Sequence, residues 1–274
     1  MNKVILITGA SSGIGKESAK YFAAKGWHVI ATMRNPEKET ELNTIDNILV
    51  TKLDVQDTSS IAHAIETGIS HFGHIDALVN NAGYGQMGIF EAMSKEQVIN
   101  QLEVNVFGVM DTVKAILPHF RERKQGTIVN VSSGAGKFTL PMLSMYSASK
   151  FALEGFSEAL SFELSTLNIK VKIVEPGGTT TNFGKTSQDV FAAGIADYDP
   201  FLAAAGKMFD AMRNGLVTAE DVAALIYEAA TDNTDTLRYV IGNDDFMLRM
   251  KAREEMADQD YMNLMRSSFE KHLS

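Results

Sequence analysis

Short apolar runs alternate with longer stretches of helical spacing along most of this sequence, and few folds are compatible with that alternation. The runs are rich in Val and Ile and end at Gly, Asn or Asp. Strands that are apolar at nearly every position are covered on both faces. Strands that alternate with helices form right-handed βαβ crossovers and therefore a parallel, doubly wound sheet. The sequence predicts seven strands, over 3–8, 28–33, 47–54, 75–80, 126–132, 169–175 and 237–242.

The segments between these runs are long enough for helices, so the predicted fold class is α/β, with helices on both faces of the sheet. The alternation lapses over 182–215, and a Met-rich tail that we expect to be helical spans 243–274. A chain of 274 residues with 45% hydrophobic content can bury one large core, and we predict a single domain over 1–274. The predicted helices are 13–25, 58–72, 94–122, 145–166 and 218–231.

Charge and hydropathy exclude several classes of partner. The formal net charge is −9, which argues against a surface that collects phosphate backbones or anionic lipid, so we expect no nucleic-acid partner. No window approaches the roughly 18 to 20 apolar residues of a membrane span, and the first apolar run, of about 5 residues, is too short for a secretory signal. We therefore expect a cytoplasmic protein with no membrane span. The absence of cysteine excludes disulfides and thiolate catalysis.

Three glycines lie between the first strand and the first helix. Gly9, Gly13 and Gly15 allow a tight turn and let backbone N–H groups approach a pyrophosphate at the helix N-terminus. The spacing is TGxxxGxG and differs from the GxGxxG fingerprint of dinucleotide sites, so the motif by itself also fits a plain strand-to-helix turn.

A tyrosine and a lysine stand four positions apart in "MYSASKFALEGFSEAL", at 146 and 150. A phenol has an ordinary pKa of about 10, whereas a catalytic acid or base works best nearer the ambient pH. Residues four apart share one helix face, so the Lys150 ammonium can stabilise the Tyr146 phenolate. Any YxxxK pair could instead only decorate an amphipathic helix, and the other motifs must decide between these two interpretations.

Seven ordered motifs resemble those of the short-chain dehydrogenase/reductase family, and its hydroxysteroid- and retinol-dehydrogenase-like members above all. The match extends from residue 3 to about 183. The resemblance implies an enzyme with a Rossmann-type fold that transfers hydride between a nicotinamide and a carbonyl or alcohol. The motifs are "TGASSGIG" (8–15), "LDV" (53–55), "NNAG" (80–83), "VN" (104–105), "IVNVSS" (128–133), "YSASK" (146–150) and "PGGTTT" (176–181).

The resemblance assigns a catalytic tetrad. Tyr146 becomes the acid–base group, and Lys150 lowers its pKa and also holds the nicotinamide ribose. Ser133 ends a predicted strand, where open α/β sheets bind their ligands, and its spacing to Tyr146 matches the family serine that orients the substrate oxygen. Its neighbour Ser132 is expected to satisfy backbone in the turn. Asn105 resembles the asparagine that holds a relay water, although it could be only a hydrogen-bonded buried amide.

The resemblance also implies a set of cofactor contacts around the glycine turn, the adenine, the fourth strand and the nicotinamide carboxamide. Asn81 is expected to touch the cofactor directly, whereas Asn80 is expected to tie neighbouring strands together. The loop that touches the carboxamide leads into a lid over 182–215. The predicted cofactor residues are Gly9, Ser11, Ser12, Gly13, Ile14, Gly15, Arg34, Asp54, Val55, Asn81, Ala82, Gly83, Tyr146, Lys150, Pro176, Gly177, Thr179 and Thr181.

The end of the second predicted strand bears on which nicotinamide cofactor is used. An acidic residue there, about 20 residues after the glycine turn, binds the ribose 2′-OH in NAD sites, and a nearby arginine accommodates a 2′-phosphate. Here the acidic position is Met33, and Arg34 follows it. NADP(H) is therefore the preferred cofactor, with NAD(H) possible if Arg34 is only a solvated loop residue.

The substrate is expected to be a hydrophobic ketone, aldehyde or alcohol, because the lid segment is rich in Phe and Met. The same side chains could instead pack the lid on the core. Six histidines lack ligand spacing and are expected at the surface or at helix ends, so no metal site is predicted. By resemblance, the helices over 94–122 and 145–166 pair into a homodimer or homotetramer. The alternative function is a catalytically silent NADP-binding sensor or scaffold.

Overall fold

The computed structural model describes residues 2–184, 191 and 194–273, and its centre is a parallel sheet of seven strands in the order β3-β2-β1-β4-β5-β6-β9. A two-stranded pair, β7 with β8, lies apart from it. The prediction of a seven-stranded, doubly wound α/β fold is confirmed. The strands are β1 Val4–Ile7, β2 His28–Met33, β3 Ile48–Lys52, β4 Ala77–Asn80, β5 Gly126–Val131, β6 Ile169–Pro176, β7 Thr179–Thr180, β8 Val217–Thr218 and β9 Arg238–Ile241.

Helices cover both faces of the sheet, and each face has its own buried cluster. One cluster includes Phe22 and Ile226 against the sheet, and the other includes Ile116 and Leu160. Side chains of alternate parity along each strand supply the two clusters, as the nearly continuous apolar runs require. The helices are α1 Gly13–Ala24, α2 Thr58–Phe72, α3 Lys95–Leu102, α4 Gly108–Arg123, α5 Ser144–Ser165, α6 Asp199–Ala211, α7 Ala219–Thr231, α8 Asp244–Glu255 and α9 Asp258–Glu270.

Local sequence fixes where these helices begin and end. The Asp57 carboxylate caps α2 by accepting hydrogen bonds from the backbone N–H groups of Ser59 and Ser60. Gly73 ends the same helix at φ 85°, a left-handed conformation that glycine adopts without a Cβ penalty. Such local signals explain why the helix boundaries lie close to the predicted ones.

The long helix predicted over 94–122 is wrong in one respect, because three consecutive helical segments replace it. α3 is followed by a π-helical turn over Glu103–Phe107, and α4 continues from Gly108. A π turn holds an extra residue, which changes the direction of the side chains that follow. Asn105 lies in this wider turn, so the irregularity falls on a predicted site residue.

The strand order reverses beside β1, which pairs with β2 on one side and β4 on the other. The loops after these two strands leave in opposite directions, and the crevice between them lies at the carboxyl ends of the strands. The glycine turn follows β1 at this point. The topology therefore brings the predicted cofactor loop to the edge of the sheet where ligands of such folds bind.

The C-terminal helices pack against this same edge. Phe246 of α8 fills the space beside Gly134, Gly177 and Gly242, because a Cβ added to any of the three would lie 2.0 to 2.8 Å from the phenylalanine ring. Phe138 packs on the same ring at a centroid distance of 5.8 Å. Among the helices of the described residues, none combines the length and the apolar character that crossing a bilayer requires.

Candidate active site

The turn between β1 and α1 has the geometry of an anion cradle. Gly9 and Gly13 have φ of 70° and 55°, a region that L side chains rarely adopt. A Cβ on Gly15 would lie 2.4 Å from the Gly9 carbonyl oxygen. The N-cap Ser12 makes no side-chain hydrogen bond to the first turn of α1, so these N–H groups stay available to a ligand. The turn therefore fits a pyrophosphate. The other predicted residues of this loop, Ser11 and Ile14, are exposed and half-buried respectively.

Two polar residues brace the glycine turn from behind. Asn81 Nδ2 donates to the carbonyl oxygens of Thr8 at 2.9 Å and Gly9 at 3.2 Å. Thr8 Oγ1 accepts from the backbone N–H groups of Asn81 and Ala82, each at 3.0 Å. The Asn81 amide nitrogen is thus occupied by the turn, and direct contact of Asn81 with a cofactor stays a prediction. The bracing role of Thr8 was missed, although Thr8 opens the glycine motif.

The last residue of β4, Asn80, makes the link between strands that the sequence predicts. Asn80 Nδ2 donates to Asn130 Oδ1 on β5 at 2.9 Å, and Asn130 Nδ2 donates to Ser157 Oγ on α5 at 2.8 Å. This buried chain links β4, β5 and α5. Because α5 carries Tyr146, the chain fixes that helix relative to the cofactor edge of the sheet.

Residues predicted to border the adenine lie after β3. The Asp54 carboxylate accepts from the backbone N–H of Gln56 at 3.1 Å, which holds a tight turn. Val55 is buried, and a Cβ added to Gly108 would lie 2.8 Å from its Cβ, so α4 packs closely on this turn. Gly83 is exposed after β4, and a Cβ there would lie 3.1 Å from Asn105 Oδ1.

Met33 and Arg34, the two residues on which the prediction of cofactor choice depends, have different surroundings at the end of β2. Met33 is buried in the core cluster that also contains Val29 and Ala31. Arg34 is exposed, and within the described part of the chain its guanidinium has no hydrogen bond or ion pair. In contrast, Lys16 Nζ lies 3.2 Å from Glu39 Oε1 and 2.9 Å from Glu41 Oε2. Arg34 is therefore a cation at the strand end that is free to meet a phosphate.

Tyr146 and Ser133 meet at the carboxyl end of β5. The Ser133 hydroxyl lies within hydrogen-bonding reach of the Tyr146 phenol, and its Oγ also accepts from the Ala135 N–H at 3.1 Å. Burial raises the pKa of Tyr146 to about 12, and the hydrogen bond with Ser133 opposes this rise. The ring of Phe183 packs on the ring of Tyr146 at a centroid distance of 5.7 Å, which makes this side of the phenol apolar.

Lys150 lies one helical turn further along α5, on the same face as Tyr146. Its Nζ donates to the carbonyl oxygen of Val131 at 2.9 Å and lies 5.8 Å from the centroid of the Tyr146 ring. Burial lowers the pKa of Lys150 to about 8, while the Glu154 carboxylate raises it. Near neutral pH the ammonium form of Lys150 therefore predominates.

Asn105 is fully engaged with its neighbours. Its Oδ1 accepts from the Tyr84 N–H at 3.1 Å, and its Nδ2 donates to the Tyr84 carbonyl at 2.9 Å and to Ser149 Oγ at 3.1 Å. The amide is buried and hydrogen-bonded, as the alternative interpretation of the sequence has it. A role of Asn105 in proton relay stays a prediction.

The loop after β6 reaches back to the glycine turn. Pro176 is buried, and the Gly177 N–H donates to the Ile241 carbonyl at 2.7 Å. Thr179 Oγ1 donates to the Gly177 carbonyl at 3.1 Å. A Cβ on Gly13 would lie 3.3 Å from Thr181. The predicted carboxamide loop and the pyrophosphate turn thus flank one crevice.

One sequence expectation about an individual side chain is wrong. Ser132 does not satisfy backbone with its hydroxyl, since its buried Oγ makes no hydrogen bond to any described residue. His74 lies just after the end of α2 and is buried, with its Nε2 3.0 Å from Asp76 Oδ2. Within the described ranges, no group of three or more His, Cys, Asp or Glu side chains could hold a metal ion.

Sequence reasoning also missed a buried charged cluster behind Lys150. It contains Glu154 of α5, Glu175 of β6 and Arg238 of β9. Two signals were present: Glu154 stands four residues after Lys150, and Glu175 is a carboxyl near the end of a predicted buried strand. Neither signal indicates that the two carboxyls meet, because that contact depends on how α5 packs against β6 and on Arg238 from the distant β9.

Comparison with known proteins agrees with this geometry. The family model of the short chain dehydrogenases matches residues 3–190. Retinol dehydrogenase 8 from Homo sapiens is 39% identical over 208 residues, which are 72% of this chain and 66% of that protein. The predicted likeness to retinol-dehydrogenase-like members is therefore confirmed.

Solved structures share the whole architecture. A short-chain dehydrogenase from Streptomyces avermitilis superposes with a TM-score of 0.81 at 33% identity, covering 97% of this chain and 98% of that one. ElxO with NADP bound superposes with a TM-score of 0.73 at 28% identity, covering 88% and 98%. Matching solved structures include complexes with NAD and with NADP. On the family model, the fold and the relatives together, the chain belongs to the short-chain dehydrogenase family and is an oxidoreductase acting on CH–OH groups.

Proposed function

We propose that this chain is an NADP(H)-dependent carbonyl reductase or alcohol dehydrogenase for hydrophobic ketones, aldehydes or secondary alcohols. The observation that carries the proposal is the convergence of Ser133, Tyr146 and Lys150 beside the glycine turn. A hydroxyl next to a phenol, with an ammonium one helical turn away, is the donor set that proton transfer to a carbonyl oxygen requires. The crevice between this set and the turn gives the cofactor its place.

The chemistry follows from these side chains. The bound nicotinamide supplies the hydride in reduction and accepts it in oxidation. Ser133 Oγ orients the substrate oxygen by a hydrogen bond, and Tyr146 Oη donates its proton to that oxygen. The Lys150 ammonium stabilises the phenolate that Tyr146 becomes. A proton then returns to the phenolate by way of Lys150. Asn105, held in the π turn, serves this return as a relay residue.

Several residues of this chain suit an NADP cofactor. The free N–H groups at the start of α1 suit the pyrophosphate, and Lys150 suits the nicotinamide ribose. Arg34 has no hydrogen bond or ion pair among the described residues, which supports binding of a 2′-phosphate, because planar charge-assisted contacts to phosphate are strong. The loop from Pro176 to Thr181 borders the carboxamide, and the segment 182–215 serves as a lid.

The character of the substrate is inferred from its surroundings. Phe183 packs on Tyr146, so the reacting oxygen meets polar groups while the rest of the substrate meets an aromatic surface. A relative named retinol dehydrogenase 8 is consistent with an apolar alcohol or its carbonyl product. We also propose that the enzyme is cytoplasmic and that the chain forms one domain.

A carbonyl panel tests this function. NADPH oxidation is followed by absorbance with apolar ketones and aldehydes and with small charged keto acids. Tyr146→Phe removes the acid but keeps the ring, so turnover should fall by at least about 1,000-fold while NADPH affinity, measured by fluorescence titration, stays within about threefold. Tyr84→Phe is the matched control and should retain activity. NADPH binding with no turnover of any carbonyl would instead indicate a silent cofactor-binding protein.

We further propose that the protein is a homodimer or homotetramer that pairs through α4 and α5. The end of the π turn before α4 and the surface of α5 expose aromatic side chains that a monomer would leave in water: Phe107 is 48% exposed, Phe151 42% and Phe162 73%. Isologous pairing of such a face is the common symmetric solution. Light scattering at micromolar concentration should give at least twice the monomer mass, and Phe162→Asp should lower it. A wild-type mass equal to one chain would refute this assembly.

A further inference from the structure

Two carboxyl groups are buried together behind the catalytic lysine. Glu154 of α5 is 5% exposed and Glu175 of β6 is 0% exposed. Arg238 of β9 reaches both with one nitrogen: its Nε lies 3.1 Å from Glu154 Oε2 and 3.2 Å from Glu175 Oε1. A second nitrogen of the same guanidinium, Nη2, lies 2.5 Å from Glu158 Oε2.

This single nitrogen cannot satisfy both carboxylates. An arginine Nε carries one hydrogen, and in the structure it is donated to Glu154. Three oxygens of the pair accept no hydrogen bond from any described residue: both carboxyl oxygens of Glu175, and Oε1 of Glu154. An ionised carboxylate without donors is among the most costly groups to bury, whereas a proton held between two carboxyls gives one of them a donor and the other a partner.

Burial of the pair outweighs the positive charges around it. Glu158 and Lys150 lie on α5, Lys137 follows β5, and Arg238 comes from β9. Burial, followed by the Glu154 carboxylate, raises the pKa of Glu175 to about 7, while Lys137 and Arg238 oppose the rise. Glu154 in turn raises the pKa of Lys150, so the charge of the pair acts on the catalytic lysine.

We propose that Glu154 and Glu175 share one proton near neutral pH and act together as positioning residues for Lys150. The proton resides on Glu175 and is donated to Glu154, which leaves Glu154 ionised and one helical turn from Lys150. Its negative charge keeps the lysine ammonium charged beside Tyr146. When the shared proton is lost to solvent, both carboxylates are ionised and the lysine holds its proton more tightly. This inference rests on the proposed function only where it gives Lys150 a catalytic task.

Infrared spectroscopy of the cofactor-free protein tests the shared proton. A protonated carboxyl has a carbonyl stretching band distinct from that of a carboxylate, and the wild type should show such a band at pH 6 that disappears as the pH rises through about 7. Glu175→Gln should lack the band, and Glu158→Gln, which removes an exposed partner of Arg238, should keep it. A wild-type spectrum without a band that titrates in this range would overturn the proposal, and this measurement needs no variant to fold.

Lysine titration tests the effect on Lys150. In protein labelled with ¹³C at lysine Cε, the resonance of Lys150 is identified by its loss in Lys150→Arg. Glu154→Gln should move the Lys150 titration to lower pH, Glu154→Asp should restore part of the difference, and Glu158→Gln should leave it unchanged. The limb of the kcat/KM profile that reports Lys150 should move with it. An unmoved resonance in Glu154→Gln contradicts the proposal, whereas normal spectra with no turnover contradict only the proposed function.

Discussion

Tyr146 by itself is a poor acid–base group, because burial raises its pKa to about 12. The protein compensates with two neighbours of different kind. The hydrogen bond with Ser133 opposes the rise in the Tyr146 pKa, and in the proposed mechanism the Lys150 ammonium would stabilise the phenolate by charge. Lys150 is itself buried and loses its charge above about pH 8, so the group that supports the lysine also affects the tyrosine. Individual residues of this site therefore act through their neighbours' protonation.

Arg34 carries the prediction on cofactor choice. Arg34→Ala removes one charged contact to the 2′-phosphate, worth about 1.5 to 3 kcal/mol, so kcat/KM with NADPH should fall by about 10- to 100-fold while the value with NADH changes little. Lys25→Ala is the control for net charge, since Lys25 lies at the opposite end of α1. An equal loss with both cofactors would show that Arg34 does not contact the phosphate. Met33→Asp is unsuitable for this test, because Met33 is buried in the core and a carboxylate there would destabilise the fold.

Elements position the site as much as its residues do, and α8 does so through one side chain. Phe246 packs beside Gly134, which follows Ser133, and beside Gly177 of the loop after β6. Phe246→Ala should cost about 3 to 5 kcal/mol of stability and lower kcat/KM by about 10- to 100-fold, because Ser133 loses its rigid support. Phe269→Ala, which disrupts the Phe201–Phe269 pair of α6 and α9, is the matched control and should spare activity. Equal activity losses in the two variants would contradict the positioning role.

The elements also show how far sequence reasoning extends. All seven sheet strands were predicted, because a buried parallel strand is recognisable from its nearly continuous run of apolar residues. The Tyr146–Lys150 relation was predicted because both residues lie on one helix. The π turn at Asn105 was not, since an extra residue in a turn leaves the apolar pattern almost unchanged. The meeting of Glu154 with Glu175 was not predicted either, because periodicity says nothing about contacts between α5, β6 and β9.

At the scale of the whole molecule, the buried pair links the site to stability. The pKa of Glu175 rises from 4.5 to about 7 on folding, so the folded protein binds this proton more tightly than the unfolded chain does. Below about pH 4.5 Glu175 is protonated in both states and does not lower the free energy of unfolding. As the pH rises from there to about 7, the free energy of unfolding falls. Since one unit of pKa shift corresponds to about 1.4 kcal/mol, the loss should total about 3 kcal/mol. The half-buried His119, whose pKa burial lowers from 6.5, has the opposite slope in part of this range.

Comparison with Glu175→Gln isolates the contribution of Glu175, because Gln stays neutral at every pH and His119 is common to both proteins. Urea unfolding midpoints, measured between about pH 5 and 8.5, should show wild type and variant converging at the acid end. The variant should become progressively more stable than the wild type as the pH rises from about 5 to about 7, and the difference should then level off. The Lys150 titration lies higher, at about pH 8, so it does not produce this divergence. A constant difference across the range would mean that Glu175 keeps one protonation state throughout, and the assignment of the buried proton to this residue would then be wrong.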